Sequence, residues 1–330
     1  MSPACPQAGA ALLAAMITVA LVATLAAAAL WRQWRGVEVE GAERARVQSA
    51  WILTGALDWG RLILAGDLRE DQRTGQNIDH LAEPWAVPLA EARLSTFLAA
   101  GESGSDTDRD AFLSGQVTDL QSRLNVMNLV VGEPLARTQA LARFSTLFRE
   151  LGLRGGELAT LFDNLARAHD AMKAGTPGDG DAPLLPRRYD QLAWLGVSDE
   201  TLALLRPYVT VLPVSAAIVP VNLNTASALV IHAAIPGSDL AGAQRLVAER
   251  DSAPLKNTAG VRALLNLDEA PDLGWAGVRS DYFEIRGRLR LDDVALEEVA
   301  VVRRQSSGST RGVYTLWRER AAIAVPADGR

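Results

Sequence analysis

The first apolar block runs unbroken from Ala10 to Leu30 (AALLAAMITVALVATLAAAAL), 21 residues without a charge. At a helical rise of about 1.5 Å per residue it just spans a bilayer core. It is longer than the h-region of a cleaved secretory signal, and Trp31, Arg32, Trp34 and Arg35 follow it as the interfacial flank of a retained anchor. Residues 36–65 contain no proline and place Val47, Trp51, Gly55, Trp59 and Leu62 at spacings of three and four. This predicts that the helix continues past the anchor and packs that face on a folded domain, with a break near Gly36 and Gly41 as the alternative.

The period then changes. Pro84, Pro88 and the polar run Gly101–Asp110 mark loops, and Val117 to Val126 reads as extended. Helical spacing dominates from Glu133 to Leu267, as in Leu141, Phe144, Leu147, Phe148 and Leu151. Asp170–Pro186 interrupts it, and Val209–Val221 is an apolar connector too rich in proline for a helix, so two small helical units are implied. Near the end, Phe283, Ile285, Leu289 and Leu291 alternate with Glu284, Arg286, Arg288 and Arg290, the period of a half-buried strand. Val299–Arg304 and Val313–Arg320 repeat it around the turn Ser306–Ser309, which predicts a three-stranded antiparallel meander packed on the long helix. The fold class expected from this order is α/β (α+β), with an all-α insertion between helix and sheet.

Composition narrows the chemistry. A net charge of −6 argues against wholesale binding to a phosphate backbone. The single cysteine, Cys5, precedes the apolar block, so the remainder offers no disulfide or thiolate site. His80, His169 and His232 are scattered and form no spaced metal pair. His169 and Asp170 are helical neighbours and are not expected to face one another. No catalytic residue is assigned, and the chain is not expected to be an enzyme. Trp51, Trp59 and Trp85 are expected in the core.

Two motifs carry alternative chemistry. Asn222–Ala226, Ile235–Leu240 and Ala243–Arg250 look like a helix-hairpin-helix unit, which presents backbone N–H groups to phosphate. Here Ser238 and Asp239 replace the second hairpin glycine and Asp239 would repel phosphate, so a structural module like a sterile alpha motif is expected. The alternative function is a membrane-tethered DNA-binding protein of the competence type. Asp106, Asp108 and Asp110 alternate in a glycine-containing loop and could converge on calcium. Ala111 and Val117 stand where an EF-hand needs glycine and glutamate, so a solvated acidic loop is the commoner explanation, and Asp179–Asp181 is a weaker candidate still.

Several stretches carry a family resemblance. Gln7-Ala8-Gly9 followed by Ala10-Ala11-Leu12-Leu13-Ala14 resembles a class III signal, cut after the glycine by a prepilin peptidase. Phe112–Leu129 (FLSGQVTDLQSRLNVMNL), Leu192–Val197, Tyr208–Pro213 and Val221–Ala226 are similar to general secretion pathway protein K, the large minor pseudopilin of type II secretion systems. The leader MSPACPQAG lacks the usual basic residues. Ala14 stands where most pilin-like proteins have a glutamate, a departure typical of protein K.

The resemblance implies a pilin-like domain. Its expected layout is a leader (1–9), a transmembrane helix (10–30), the helix continuation with the first part of the domain (31–129), a helical insertion (130–278, two units at about 130–208 and 209–278), and closing strands (279–330). It further implies processing at Gly9 and Ala10 and subunit packing through Ala10, Leu12, Leu13, Ala14, Ile17 and Leu21. The implied partners are the I and J minor pseudopilins, the pseudopilus, the inner membrane and the prepilin peptidase, with no nucleic acid. The implied role is capping of the pseudopilus tip in the periplasm. A calcium-binding family member strengthens the metal reading.

Overall fold

The computed structural model describes residues 8–93, 111–175, 182–213, 217–267, 273–291, 294–306 and 311–323. The chain divides into two compact units, one ending at Gly55 and one beginning at Ala56. Helix α1 (Ala8–Thr74) supplies the described part of the first unit and the opening of the second. It passes through Gly36 and Gly41 without a break, so the continuous-helix reading holds.

The second unit contains a five-stranded antiparallel sheet. Its strands are β1 (Leu89–Arg93), β2 (Ala111–Asp119), β7 (Tyr282–Leu291), β8 (Val294–Gln305) and β9 (Gly312–Ile323), in the order β1-β2-β7-β8-β9. The expected three-strand meander is present and enlarged on one side by β2, whose Ala111–Asp119 pairs Leu291–Phe283. The extended segment expected from Val117 to Val126 starts earlier and stops sooner. Asp119 accepts a bond from Gln121 N at 2.7 Å, and this Asx turn closes the strand into a 3₁₀ turn at Leu120–Ser122. A register shift between Val301 and Val302 puts a bulge into the β8–β9 pair.

Between β2 and β7 lies the helical insertion. It holds β3 (Leu124–Asn125), α2 (Pro134–Glu150), α3 (Gly155–Lys173), a 3₁₀ turn at Tyr189–Leu195, α4 (Asp199–Leu205) and β4 (Val209–Thr210). After these come β5 (Val221–Asn222), α5 (Ala228–Ala234), α6 (Leu240–Ser252), α7 (Val261–Leu264) and β6 (Ala276–Gly277). Its apolar side chains form one continuous core from Leu124 to Trp275, so the two helical units share their interior. Parallel bridges β3–β4 and β5–β6 close its two halves.

The sheet has two covered faces. On one, Leu57 and Leu64 of α1 pack with Trp85, Val117, Phe283, Ile285, Ala300 and Val302. On the other, Leu120, Leu212, Val219, Tyr282 and Val301 pack together. Within the second unit the buried stripe of α1 is Leu57, Gly60, Leu64 and Leu68, at spacings of three, four and four. This corrects the predicted packing face, because Val47 (52%), Trp51 (73%), Trp59 (54%) and Leu62 (60%) are exposed. The reason is steric. A Cβ at Gly60 would stand 2.7 Å from Ile285 Cγ2, so the glycine face approaches the sheet and the tryptophan face points elsewhere. Trp85 is buried as expected and meets Phe283 edge-on, with centroids 5.1 Å apart.

Candidate functional site: the uncovered helix and the buried polar staple

In the first unit every side chain from Ala10 to Arg44 is exposed. That includes Leu12 (67%), Leu13 (61%), Ile17 (59%) and Leu21 (59%), together with Ala10 and Ala14. Among the described residues α1 is the helix long and apolar enough to cross a membrane. Its few polar groups are satisfied within the helix. The Thr18 hydroxyl donates to Ala15 O at 2.8 Å and the Thr24 hydroxyl to Leu21 O at 2.9 Å. Trp31 and Trp34 lie side by side, centroids 5.4 Å apart, where the apolar run ends. Gly9 and Ala10 are both helical, since α1 begins at Ala8.

The second unit encloses a polar cluster instead. Arg304, fully buried, places its guanidinium between the carboxylates of Asp67 and Asp79 and donates to Ser280 O at 2.9 Å. Ser280 N donates to Asp79 Oδ2 at 2.7 Å, and Asp79 N donates to Val278 O at 2.8 Å. One shell further in, Asp119 Oδ2 accepts from Thr225 (2.5 Å), Ser280 Oγ (2.7 Å) and Asn222 Nδ2 (3.1 Å). Burial pushes the Asp119 carboxyl up to about 6, against these donors, which favour the ionised form. Burial likewise raises Asp79, and Arg304 opposes it.

The motif residues at 112–129 and 221–226 therefore do structural work. Asp119 and Gln121 on the sheet side meet Asn222 and Thr225 on the insertion side. Gln121 Nε2 donates to Pro220 O at 2.9 Å, and its Oε1 accepts from Asp281 N at 2.6 Å. Asn125 accepts from Leu212 N at 3.0 Å, while Asn128 both donates to Val219 O (2.9 Å) and accepts from Val219 N (3.1 Å). Asp119 and Gln121 thus staple the insertion to the sheet, while Asn125 and Asn128 fasten the insertion's own connector. Asp67, Asp79 and Arg304 escaped sequence reasoning, because only the fold brings positions 225 residues apart together.

Asp67, Asp79 and Glu83 each offer an oxygen within 4.8 Å of the others, a spacing that could suit a metal. The Arg304 guanidinium already supplies the positive charge to two of them. Glu83 accepts from Trp85 Nε1 and lies 3.5 Å from His80 Nε2. Burial, with Asp67 nearby, pushes its carboxyl up to about 8. The calcium candidates Asp106, Asp108 and Asp110, and the acidic stretch Asp179–Asp181, lie outside the described residues.

The hairpin uses its polar groups internally. Gly237 takes φ +81° between α5 and α6, and Ser238 Oγ donates to Ile235 O at 2.7 Å. Asp239 caps α6 by accepting from Gly242 N at 2.5 Å, and buried Arg250 donates to Leu223 O. His169 Nδ1 comes within 3.5 Å of Asp170 Oδ1 but is buried without a hydrogen-bond partner. Burial lowers the His169 pKa, and the nearby Lys173 charge lowers it further.

Two family models, both described as type II secretion system (T2SS) protein K, match residues 122–214 and 221–283, which hold the helical insertion. A curated relative, type II secretion system protein K of Pseudomonas aeruginosa, is 26% identical over 98% of this chain and 96% of its own length. The chain belongs to the protein K family of type II secretion systems. It is therefore a minor pseudopilin, and the fold agrees. The crystal structure of the GspK–GspI–GspJ complex from the enterotoxigenic Escherichia coli type 2 secretion system superposes with a TM-score of 0.63 at 15% identity. That match covers 85% of this chain and 98% of the solved one.

Proposed function

We propose that the chain caps the tip of the periplasmic pseudopilus, assembling there with I- and J-type minor pseudopilins to support protein export across the outer membrane. The observation that carries this reading is the uncovered apolar surface of α1 from Ala10 to Leu30, in a chain whose second unit has a core of its own. Apolar surface of that extent needs lipid or sister helices. Residues 10–30 would cross the inner membrane once, with the bulk of the chain in the periplasm. Ala10, Leu12, Leu13, Ala14, Ile17 and Leu21 would then pack laterally in the filament. The solved relative that assembles with I and J subunits supports the same partners here. The helical insertion adds bulk that a further stacked subunit would have to clear. The role is associative, with no reaction assigned.

Prepilin peptidase would cut between Gly9 and Ala10. N-terminal sequencing of the mature protein tests this: a start at Ala10 with a methylated amine is expected, and a soluble product starting beyond Trp31 would overturn the reading. Deleting the chain should abolish secretion of substrate exoproteins, and unchanged secretion would remove the export role. For calcium at Asp106, Asp108 and Asp110, a chelator should lower the thermal midpoint, and an unchanged midpoint removes the metal. The DNA-binding alternative predicts salt-sensitive affinity for duplex DNA, which this reading does not.

A further inference from the structure

On the sheet face opposite α1, a cleft of about 320 Å³ opens between β7–β9 and the Tyr189–Leu195 turn of the insertion. Its walls are apolar at Leu120, Val209, Val299 and Val301 and aromatic at Tyr189 and Trp317. Four carboxylates and four arginines also line it, and their pairing is uneven. Glu319 takes Arg188 at 2.8 Å, and Asp190 takes Arg206. Arg286 reaches both Glu284 (2.8 Å) and Glu297 (2.7 Å), and Glu297 is shared with Arg288 from beyond the rim (2.6 Å).

Every carboxylate of the lining is thereby neutralised by an arginine. Arg123 is the cation left over: it lines the cleft half-buried and has no hydrogen bond or ion pair among the described residues. Its five donors lie where water is restricted, and a guanidinium does not escape the cost by losing its proton. Burial lowers its pKa first. Glu284 and Tyr189 raise it and Arg286 and Arg206 lower it again, so the neighbourhood leaves it under-compensated. The two flanking arginines outside the sheet are turned onto rings, Arg188 over Trp317 at 5.0 Å and Arg206 over Tyr189 at 4.9 Å, which stiffens both side walls.

We infer that this cleft binds a carboxylate attached to an apolar body, with Arg123 as its anion contact and Trp317 and Tyr189 holding the apolar part. A bare inorganic ion would leave the valine and aromatic walls unused. The volume matches the lower end of ligand pockets and takes one or two residues of an extended peptide, or a small organic acid. Both sources share one chemistry, a carboxylate beside a hydrophobic group. The site is separate from the apolar surface of residues 10–30, so its test does not depend on filament assembly.

The test uses full-length protein in lipid nanodiscs and ¹⁹F NMR with two probes, N-acetyl-4-fluorophenylalanyl-glutamyl amide and 4-fluorophenylacetate. Saturable broadening of at least one probe is expected, the dipeptide alone indicating a peptide ligand and the free acid indicating a small metabolite. Arg123→Gln should weaken binding about tenfold or more, the loss of one charge-assisted contact, and replacing glutamyl by glutaminyl in the probe should do the same. Arg123→Lys keeps the charge and should bind within that range, which covers the case in which Arg123→Gln misfolds. Arg311→Gln, remote from the lining, should bind as the parent does. Absence of saturable binding by either probe, or binding by Arg123→Gln within twofold of the parent, would overturn the site.

Discussion

The two ends of α1 invert the usual placement of side chains. From Ala10 to Leu30 it is apolar and uncovered, whereas the turn around Asp67 leads into a cluster where Asp79, Asp119, Asn222 and Arg304 are wholly enclosed. Enclosed charge is tolerated because each partner is met inside the same unit: carboxylates with Arg304, amide and hydroxyl donors with Asp119. Uncovered hydrocarbon is tolerated only if something else covers it. One region is finished as folded, and the other, on the proposed reading, would be finished by lipid or sister helices.

The largest effect should come from breaking the finished region. Asp79→Ala removes one of the two carboxylates around Arg304 and should cost about 3–5 kcal/mol in urea unfolding of the full chain in detergent. A loss under about 1 kcal/mol would mean the cluster is not closed. Next comes Leu64→Ala, fully buried against the sheet, at about 2–4 kcal/mol by the same measurement.

The pH response should be smaller. Glu83, raised to about 8 when folded from an ordinary 4.5, holds a proton that the unfolded chain has lost. Stability therefore falls as pH rises between these values and is level above them. Glu83→Gln should flatten that slope and gain roughly 1–2 kcal/mol at pH 8, allowing for its partial exposure. Thermal midpoints at pH 5 and pH 8 for both proteins measure it, and parallel curves would contradict the assignment.

Removing the α6 cap with Asp239→Ala should cost about 1 kcal/mol, because one side-chain acceptor is lost and no buried charge is stranded. Smallest of all is Trp51→Ala, expected within about 0.5 kcal/mol of the parent. If Trp51→Ala destabilised the chain as Leu64→Ala does, the contrast between covered and uncovered faces of α1 would fail.

Much of this was legible in the sequence, for reasons that differ by region. The apolar run at 10–30, the 3.6 period of α2 and α3 and the alternation in β7 are local signals, and the elements follow them. The packing face of α1 was not legible, since its leucine and tryptophan stripes look alike by spacing. Choosing between them depended on Gly60 meeting Ile285, a contact 225 positions distant in the chain. The first half of β2, before Val117, was not legible because Gly115 and Gln116 carry no strand preference of their own. They extend because Gly287 and Arg286 lie opposite. The 112–129 and 221–226 segments pointed to the family, yet their task as an internal fastener appears only when Asp119 and Asn222 are seen bonded.

Thr18 and Thr24 turn their hydroxyls onto their own helix, so the rod from Ala10 to Leu30 shows its surroundings almost nothing but methyl and methylene groups. Acyl chains and neighbouring rods are then nearly equivalent solvents for it. On the proposed reading, passage from one to the other would break no polar bond, and a subunit would leave a bilayer, or return to it, on packing differences alone.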